Sequence, residues 1–198
     1  MSAPFSEPFA RFETLFGQAA ALPRDVLPEP TAFALGTVDE RGQPSVRIVL
    51  LKAFDERGFV FYTNYESRKG RALLGTRRAA MCFHWQLLEE QVRVEGTVET
   101  VSDEEADAYF ASRARGSQIG AWASLQSQPM ENPRDLEARI AAVEERFAGK
   151  PVARPPHWSG FRIVPERIEF WKNMPSRLHV RRVYTRNESG WDVLQLYP

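Results

Sequence analysis

Cysteine is almost missing from this chain: Cys82 is the single one among 198 residues. An internal disulfide is therefore excluded, and with no apolar leader near Met1 the sequence reads as cytoplasmic. No uninterrupted apolar run reaches membrane-spanning length, so no transmembrane helix is expected. Net charge is missing as well. Lys plus Arg and Asp plus Glu number 26 each, a balance that argues against a broad nucleic-acid or membrane-surface footprint. No GxGxxG follows a strand-like run, no Walker phosphate loop occurs, and no GxSxG suggests a nucleophile elbow. His84, His157 and His179 lack ligand spacing, so no metal centre is expected. Internal repeats and low-complexity tracts are also lacking. What remains is one domain with enough apolar residues for a proper core.

The patterning that is present is mostly of period two. Residues 1–30 form an N-terminal arm with one amphipathic helix, Pro8 to Ala21, carrying Phe9, Phe12, Leu15 and Phe16 at helical spacing. From residue 31 to 198 the chain reads as one strand-rich domain. FALGTVD and SVRIVLLKAFD, separated by Glu40 to Gln43, read as a hairpin, and Asp55 to Gly58 turns the chain into FVFYTN. Ser67 caps a short helix to about Leu74, and AAMCFHWQ and Glu90 to Val101 are further strands. Cys82 falls in the first of these and reads as core. Ser102 and Glu105 make a capping box for a helix expected to end at Gly116. Asn132-Pro133 starts a second long helix with the stripe Leu136, Ile140, Val143 and Phe147. FRIV, RIEFWK, HVRRVYTR and WDVLQLY close the chain as strands. Strands arriving as hairpins predict a mainly β fold, an antiparallel barrel with flanking helices.

The chemistry-bearing residues are anion binders. Arg68 and Lys69 stand at a helix start, where free backbone N–H groups favour phosphate. Arg47 and Lys52 flank the strand run IVLL, and strict alternation puts them on opposite faces unless a bulge or strand end intervenes. Tyr109 and Arg113 are i and i+4 on the capped helix, with Ser117 beyond its expected end, a set of directional donors suited to a phosphate. Gln91, Gln126, Ser127 and Trp171 are polar or flat groups that suit a heteroaromatic ligand. In EFWKNMPSRLHVR, Arg177, His179 and Arg181 alternate with Leu178 and Val180, so an extended segment presents all three on one face. Each cluster alone also has a plain structural explanation: solvated strand ends, surface helix pairs, or core aromatics.

Together the motifs resemble those of pyridoxine/pyridoxamine 5′-phosphate oxidase. They are RIVLLK at 47–52, FYTN with SRK at 61–69, Gln91, the run from Tyr109 to Ser127, and EFWxxxxxRLHxR at 169–181. They cover residues 30 to 198 in one order. The resemblance implies an FMN-binding split β-barrel, a homodimer with FMN at the subunit interface. It implies oxidation of a small phosphorylated pyridine, pyridoxamine or pyridoxine 5′-phosphate, to pyridoxal 5′-phosphate, with molecular oxygen reduced to hydrogen peroxide. By position it assigns FMN contacts to Arg47, Lys52, Tyr62, Thr63, Arg68, Lys69, Gln91, Gln126, Ser127, Trp171 and Arg181. Substrate contacts fall to Lys52, Tyr109, Arg113, Ser117, Arg177 and His179, with Arg177 and His179 nearest the chemistry.

Three departures stand out. Val180 replaces the acid of RLHDR, Lys172 follows the Trp where Gln, His or Gly is usual, and the family's basic RxxY segment has no counterpart in Met1 to Pro30. Two other functions share the same flavin residues: a flavin or nicotinamide-linked reductase, and a non-catalytic FMN or pyridoxal phosphate binder. The Tyr109/Arg113/Ser117 set weighs against the first, and an intact RxHxR against the second.

Overall fold

The computed structural model describes residues 2–198. A short strand β1 (Ser2–Ala3) leads into helix α1 (Glu7–Ala20), whose Phe9, Phe12, Leu15 and Ala19 are buried. Phe12 is fully enclosed by Phe54, Phe59, Phe83 and Trp85, with ring centroids 4.9–6.0 Å away. Burying one such ring stabilises the fold by about 1.5–3 kcal/mol. The helix thus plugs the same core that the strands build.

Strands β2 (Ala32–Val38) and β3 (Pro44–Leu50) form the expected hairpin. The run SVRIVLLKAFD is not one strand, however. It breaks at Leu51–Lys52, and β4 (Ala53–Asp55) leaves β2 to pair with β5 (Gly58–Asn64). Helix α2 (Arg68–Thr76), strands β6 (Arg78–Trp85) and β7 (Glu90–Thr100), and helices α3 (Asp103–Ser112), α4 (Arg115–Ala123) and α5 (Pro133–Arg146) follow. FRIV and RIEFWK prove to be one continuous strand, β8 (Trp158–Lys172), and β9 (Val180–Asn187) and β10 (Gly190–Leu196) end the chain.

All of these pairings are antiparallel, in the order β1-β10-β9-β8-β7-β6-β2-β3, with β4 on β5 and β5 on β8. The break at Leu51–Lys52 therefore closes a ring, β8-β7-β6-β2-β3/β4-β5 and back to β8. The first half of β8 pairs with β5 and the second with β9, so β9, β10 and β1 branch off as an extra sheet. A bulge opposite Glu95 and Gly96 makes that possible: Arg167 pairs with Glu95, but Pro165 with Gly96. Gly96 is needed there, because a Cβ would sit 2.0 Å from the Val164 carbonyl oxygen. The extra residue also switches which side chains face the core, from Phe161 and Ile163 before it to Ile168 and Phe170 after it.

Two local expectations are corrected. The capped helix ends at Ser112 rather than running to Gly116; Arg113 is extended (φ −74°, ψ 149°), and α4 begins at Arg115. Likewise Pro175–Arg177 is a 3₁₀ turn with Ser176 and Arg177 left-handed (φ 58° and 59°), so β9 starts only at Val180. Pro175 fixes the turn and removes the donor that a strand would need. Among the described residues, no helix is long and apolar enough to cross a membrane.

Candidate active site

A cleft of about 530 Å³ opens between β3, β5, the α3–α4 junction and the loop after α4. Its walls carry Lys52, Lys69 and Arg113 and not one carboxylate. Each cation arrives by a different local device. Lys52 reaches the cleft because β3 stops at Leu50, whereas Arg47, inside β3, does not line it. Lys69 is set by α2, where Ser67 accepts from the Gly70 amide at 3.1 Å. The Lys69 ammonium donates to Gln126 Oε1 at 2.7 Å and Thr63 Oγ1 at 3.1 Å. Burial lowers its pKa, and the Arg47 charge lowers it further. Arg47 is itself lowered by burial and then by Arg68. Arg47, Arg68 and Lys69 therefore lie close enough for their charges to oppose one another, and the Arg47 guanidinium donates to the Leu35 carbonyl at 3.0 Å and to Thr37 Oγ1 and Ser45 Oγ at 2.8 Å.

Arg113 stands at the other side of the cleft. Its backbone turns out of α3, and its guanidinium lies 4.6 Å over the Trp158 ring and 5.6 Å over Phe110. Tyr109, Ser117 and Ala114 line the wall beside it. Helix α4 has no side-chain cap at Ala114, so its first amides remain available at the same place. Tyr62 stacks flat on Tyr109 (4.0 Å, 18°) and on Trp158 (5.4 Å, 9°). Gly160 leaves that space open, since a Cβ would be 2.8 Å from Tyr62 Cε1. Burial pushes the Tyr62 hydroxyl up to about 12, so it stays neutral. Ser127 adjoins Gln126 in a left-handed turn (φ 70°).

The remaining candidates gather elsewhere. Gln91 pairs with Trp171, and Trp171 with Arg181, so the three form one row across β7, β8 and β9. The His179 ring packs at a 45° tilt 4.6 Å from Trp171, and its Nδ1 accepts from the Met174 amide at 3.3 Å. Arg181 is turned along the sheet, donating to buried Glu169 at 2.8 Å and to the Tyr197 carbonyl at 3.2 Å. Arg177 is exposed and, among the described residues, has no hydrogen bond or ion pair. The single-face alternation of Arg177, His179 and Arg181 does not hold, because only Arg181 lies in regular strand. The sequence reading missed Trp158. Its signal was faint: a Trp opening a strand just past a proline-rich connector.

The row and the cleft do not meet within one chain. They sit toward opposite ends of β8, which carries Trp158 at its start and Trp171 near its close. Residues 22–172 match the family model described as pyridoxamine 5′-phosphate oxidase, and residues 158–198 match that of the pyridoxine 5′-phosphate oxidase C-terminal dimerisation region. A pyridoxine/pyridoxamine 5′-phosphate oxidase of Myxococcus xanthus (strain DK1622) is 60% identical over 97% of this chain and 92% of its own. One from Mesorhizobium japonicum is 54% identical over 98% of this chain and 93% of its own. Among solved structures, PhzG from Burkholderia lata 383, crystallised with tetrahydrophenazine-1-carboxylic acid, superposes with a TM-score of 0.87. It is 30% identical over 98% of this chain and 93% of that one. A Nostoc punctiforme FMN-binding protein, 16% identical and covering both chains fully, shares the fold with a TM-score of 0.75. The chain belongs to the pyridoxine/pyridoxamine 5′-phosphate oxidase family of FMN-dependent oxidases, of split-barrel fold.

Proposed function

We propose that this protein binds FMN between two copies of the chain and oxidises pyridoxamine or pyridoxine 5′-phosphate to pyridoxal 5′-phosphate, reducing oxygen to hydrogen peroxide. The observation that carries the reading is the cleft with three cations and no carboxylate, since two phosphates need such charge and water alone does not. The residues fit FMN: Arg47, Arg68 and Lys69 would hold its phosphate, with Thr63, Gln126 and Ser127 beside them. Gln91, Trp171 and Arg181 would meet its ring from the second copy. When bound, FMN supplies the two-electron acceptor that takes hydride from the substrate and yields the electrons to oxygen.

The chain's own work is binding and orientation. Arg113, Tyr109, Ser117 and the open end of α4 take the substrate phosphate, and Lys52 adds charge between the two anions. Arg177, free of other partners, and His179, steadied on Trp171, would cover the pyridine and orient it for the reaction. With Nδ1 accepting the Met174 amide, a neutral His179 carries its proton on Nε2 and offers it outward.

The test is peroxide formation with pyridoxamine 5′-phosphate under air, run beside the same assay with NADH. Oxidation of the phosphorylated amine without NADH turnover is expected; NADH turnover alone selects a reductase. A second reading follows from the PhzG likeness, in which Arg113 binds a carboxylate of a partly reduced aromatic acid. Peroxide from such an acid and none from pyridoxamine 5′-phosphate would select it.

A further inference from the structure

Arg113 is held in an unusual way for a half-buried cation. No carboxylate and no hydrogen-bond acceptor contacts its guanidinium among the described residues, and Nη1 is buried without a partner. What contacts it are ring faces, Trp158 at 4.6 Å and Phe110 at 5.6 Å. A carboxylate in that place would fix the guanidinium equally well but would cancel its charge and occupy its donors. A ring face attracts the cation through its quadrupole, leaves the net charge intact, and blocks none of the in-plane N–H groups.

Trp158 is in turn rigid. It is 7% exposed, opens β8 opposite Asn64, and its carbonyl accepts from Arg154 Nη1 at 3.0 Å. Arg154 is tied to Asp103 at 2.6 Å and Asp107 at 2.5 Å on α3, the helix that stops just before Arg113. One set of contacts thus fixes both the ring and the backbone from which the guanidinium departs.

Building on the proposed oxidase reading, we propose that Trp158 is a positioning residue for the substrate phosphate: its indole face holds Arg113 in place without neutralising it. Binding of the phosphate, rather than the oxidation step, is what the contact serves. The phosphate is remote from the reacting carbon, so the effect belongs in KM.

The test uses the FMN-loaded enzyme with Trp158→Leu, Trp158→Phe, Arg113→Ala and the Arg113→Ala/Trp158→Leu pair. KM for pyridoxamine 5′-phosphate and the inhibition constant of inorganic phosphate are the readouts. Trp158→Leu should raise both roughly five- to thirtyfold with kcat within about twofold, the range a desolvated cation–π contact spans. Trp158→Phe, which keeps a ring, should recover most of the loss and stands in if the Leu variant does not fold. In the Arg113→Ala background, Trp158→Leu should add nothing further. Additive losses in the pair would overturn the proposal, because they mark a structural role independent of Arg113. An unchanged KM in Trp158→Leu, or in Trp158→Phe a loss as large as in Arg113→Ala, would overturn it too. If Arg113→Ala itself leaves KM unchanged, the phosphate assignment fails and this inference falls with it; a raised KM there with no coupling sinks the inference alone.

Discussion

Trp158 and Trp171 lie on the same strand, an odd number of positions apart, and yet both point away from the barrel core. The bulge at Pro165–Glu166 supplies the parity change. Strand contour between them is roughly 40 Å at ~3.3 Å per residue. One ring backs the cation cleft and the other anchors the Gln91–Trp171–Arg181 row, so a site using both draws them from two chains. In an isologous dimer, two such sites form, each taking its cleft from one subunit and its row from the other. Lys69→Ala and Arg181→Ala homodimers should both be weak, whereas co-expression of the two should restore about a quarter of wild-type activity, since half the dimers then hold one intact site. No gain on co-expression, with mixed dimers verified, would show that one subunit supplies the whole site.

Lys69 should govern cofactor retention. Removing its charge-assisted bond in Lys69→Ala weakens FMN binding by about 1.5–3 kcal/mol, near ten- to a hundredfold. Its pKa lies below 10.5, through burial and then the Arg47 charge, so FMN affinity should start to fall on the alkaline side before that value. In the FMN-free protein the sign reverses. The unfolded chain there binds the proton more tightly, so stability rises with pH between the lowered pKa and 10.5. Fluorescence titration of FMN against pH in wild type and Lys69→Arg reads the first effect, and denaturant melts of the two FMN-free proteins across the same pH range read the second. An alkaline loss identical in the two proteins would assign it to another group.

Glu169 should be an acid-stability residue. Burial works to raise its pKa, but hydrogen bonds and charge from Arg181 and Arg167 outweigh this and leave it lowered from 4.5. Its contribution is therefore complete above the ordinary carboxylate range and is lost as pH falls through the lowered value. Glu169→Gln, which leaves Arg181 without a carboxylate while Arg167 keeps Glu95 at 3.1 Å, should cost about 3 kcal/mol at pH 7, the low end for a broken buried pair because both arginines are partly exposed. The gap to wild type should narrow in denaturant melts at strongly acid pH. A gap that stays constant from pH 7 downward would rule the linkage out.

Val180, where the family motif has an acid, is exposed and paired in register with Lys172, which in turn bonds Glu90 at 3.2 Å. An Asp at 180 would meet Lys172 directly across the ladder. Val180→Asp should thus raise stability by about 0.2–1 kcal/mol and leave kcat/KM within about twofold. A large change in activity would mean that this position touches the reacting groups.

The strands were legible because period-two alternation and turn chemistry agree along most of the chain, from Phe33 to Val38 and again from Glu90 to Val98. The candidate anion-binding residues were legible by type: Arg, Lys, Tyr and Ser at helix ends. Geometry was harder where a single residue changes register. Nothing local in SVRIVLLKAFD marks the break at Leu51–Lys52, because the break exists only to move the chain from β2 to β5. The bulge beside Gly96 is likewise enforced by the partner strand. Arg113 looked like a helical i+4 partner of Tyr109, but α3 stops short so that Arg113 can lie on Trp158, a contact between segments far apart in sequence. Two sets of site residues on opposite ends of β8 could not be told from one set, since spacing along a chain carries no information about a second copy.

Arg177 provides the last prediction. Alternation alone would put it on a strand with His179, sharing a face fixed by the ladder. It stands instead in a 3₁₀ turn at φ 59°, following Ser176 at φ 58°, so two adjacent non-glycine residues hold left-handed conformations. Each such residue costs roughly 1–2 kcal/mol. The loop is pinned at its base, where the Asn173 amide donates to the Glu89 carbonyl at 2.8 Å and Asn173 Nδ2 to Glu89 Oε1 at 2.9 Å. At its other end His179 accepts from Met174. This clamp presents a guanidinium with all its donors free, suited to orienting an anionic pyridine. Arg177→Ala should lower kcat/KM about a hundredfold, close to 3 kcal/mol, with FMN content and melting temperature near wild type. Asn173→Ala, which loosens the base but keeps the guanidinium, should produce a smaller loss that falls mainly on kcat. Wild-type kinetics in Arg177→Ala would remove it from the reaction, and equal losses in both variants would mean that the loop, rather than its arginine, carries the effect.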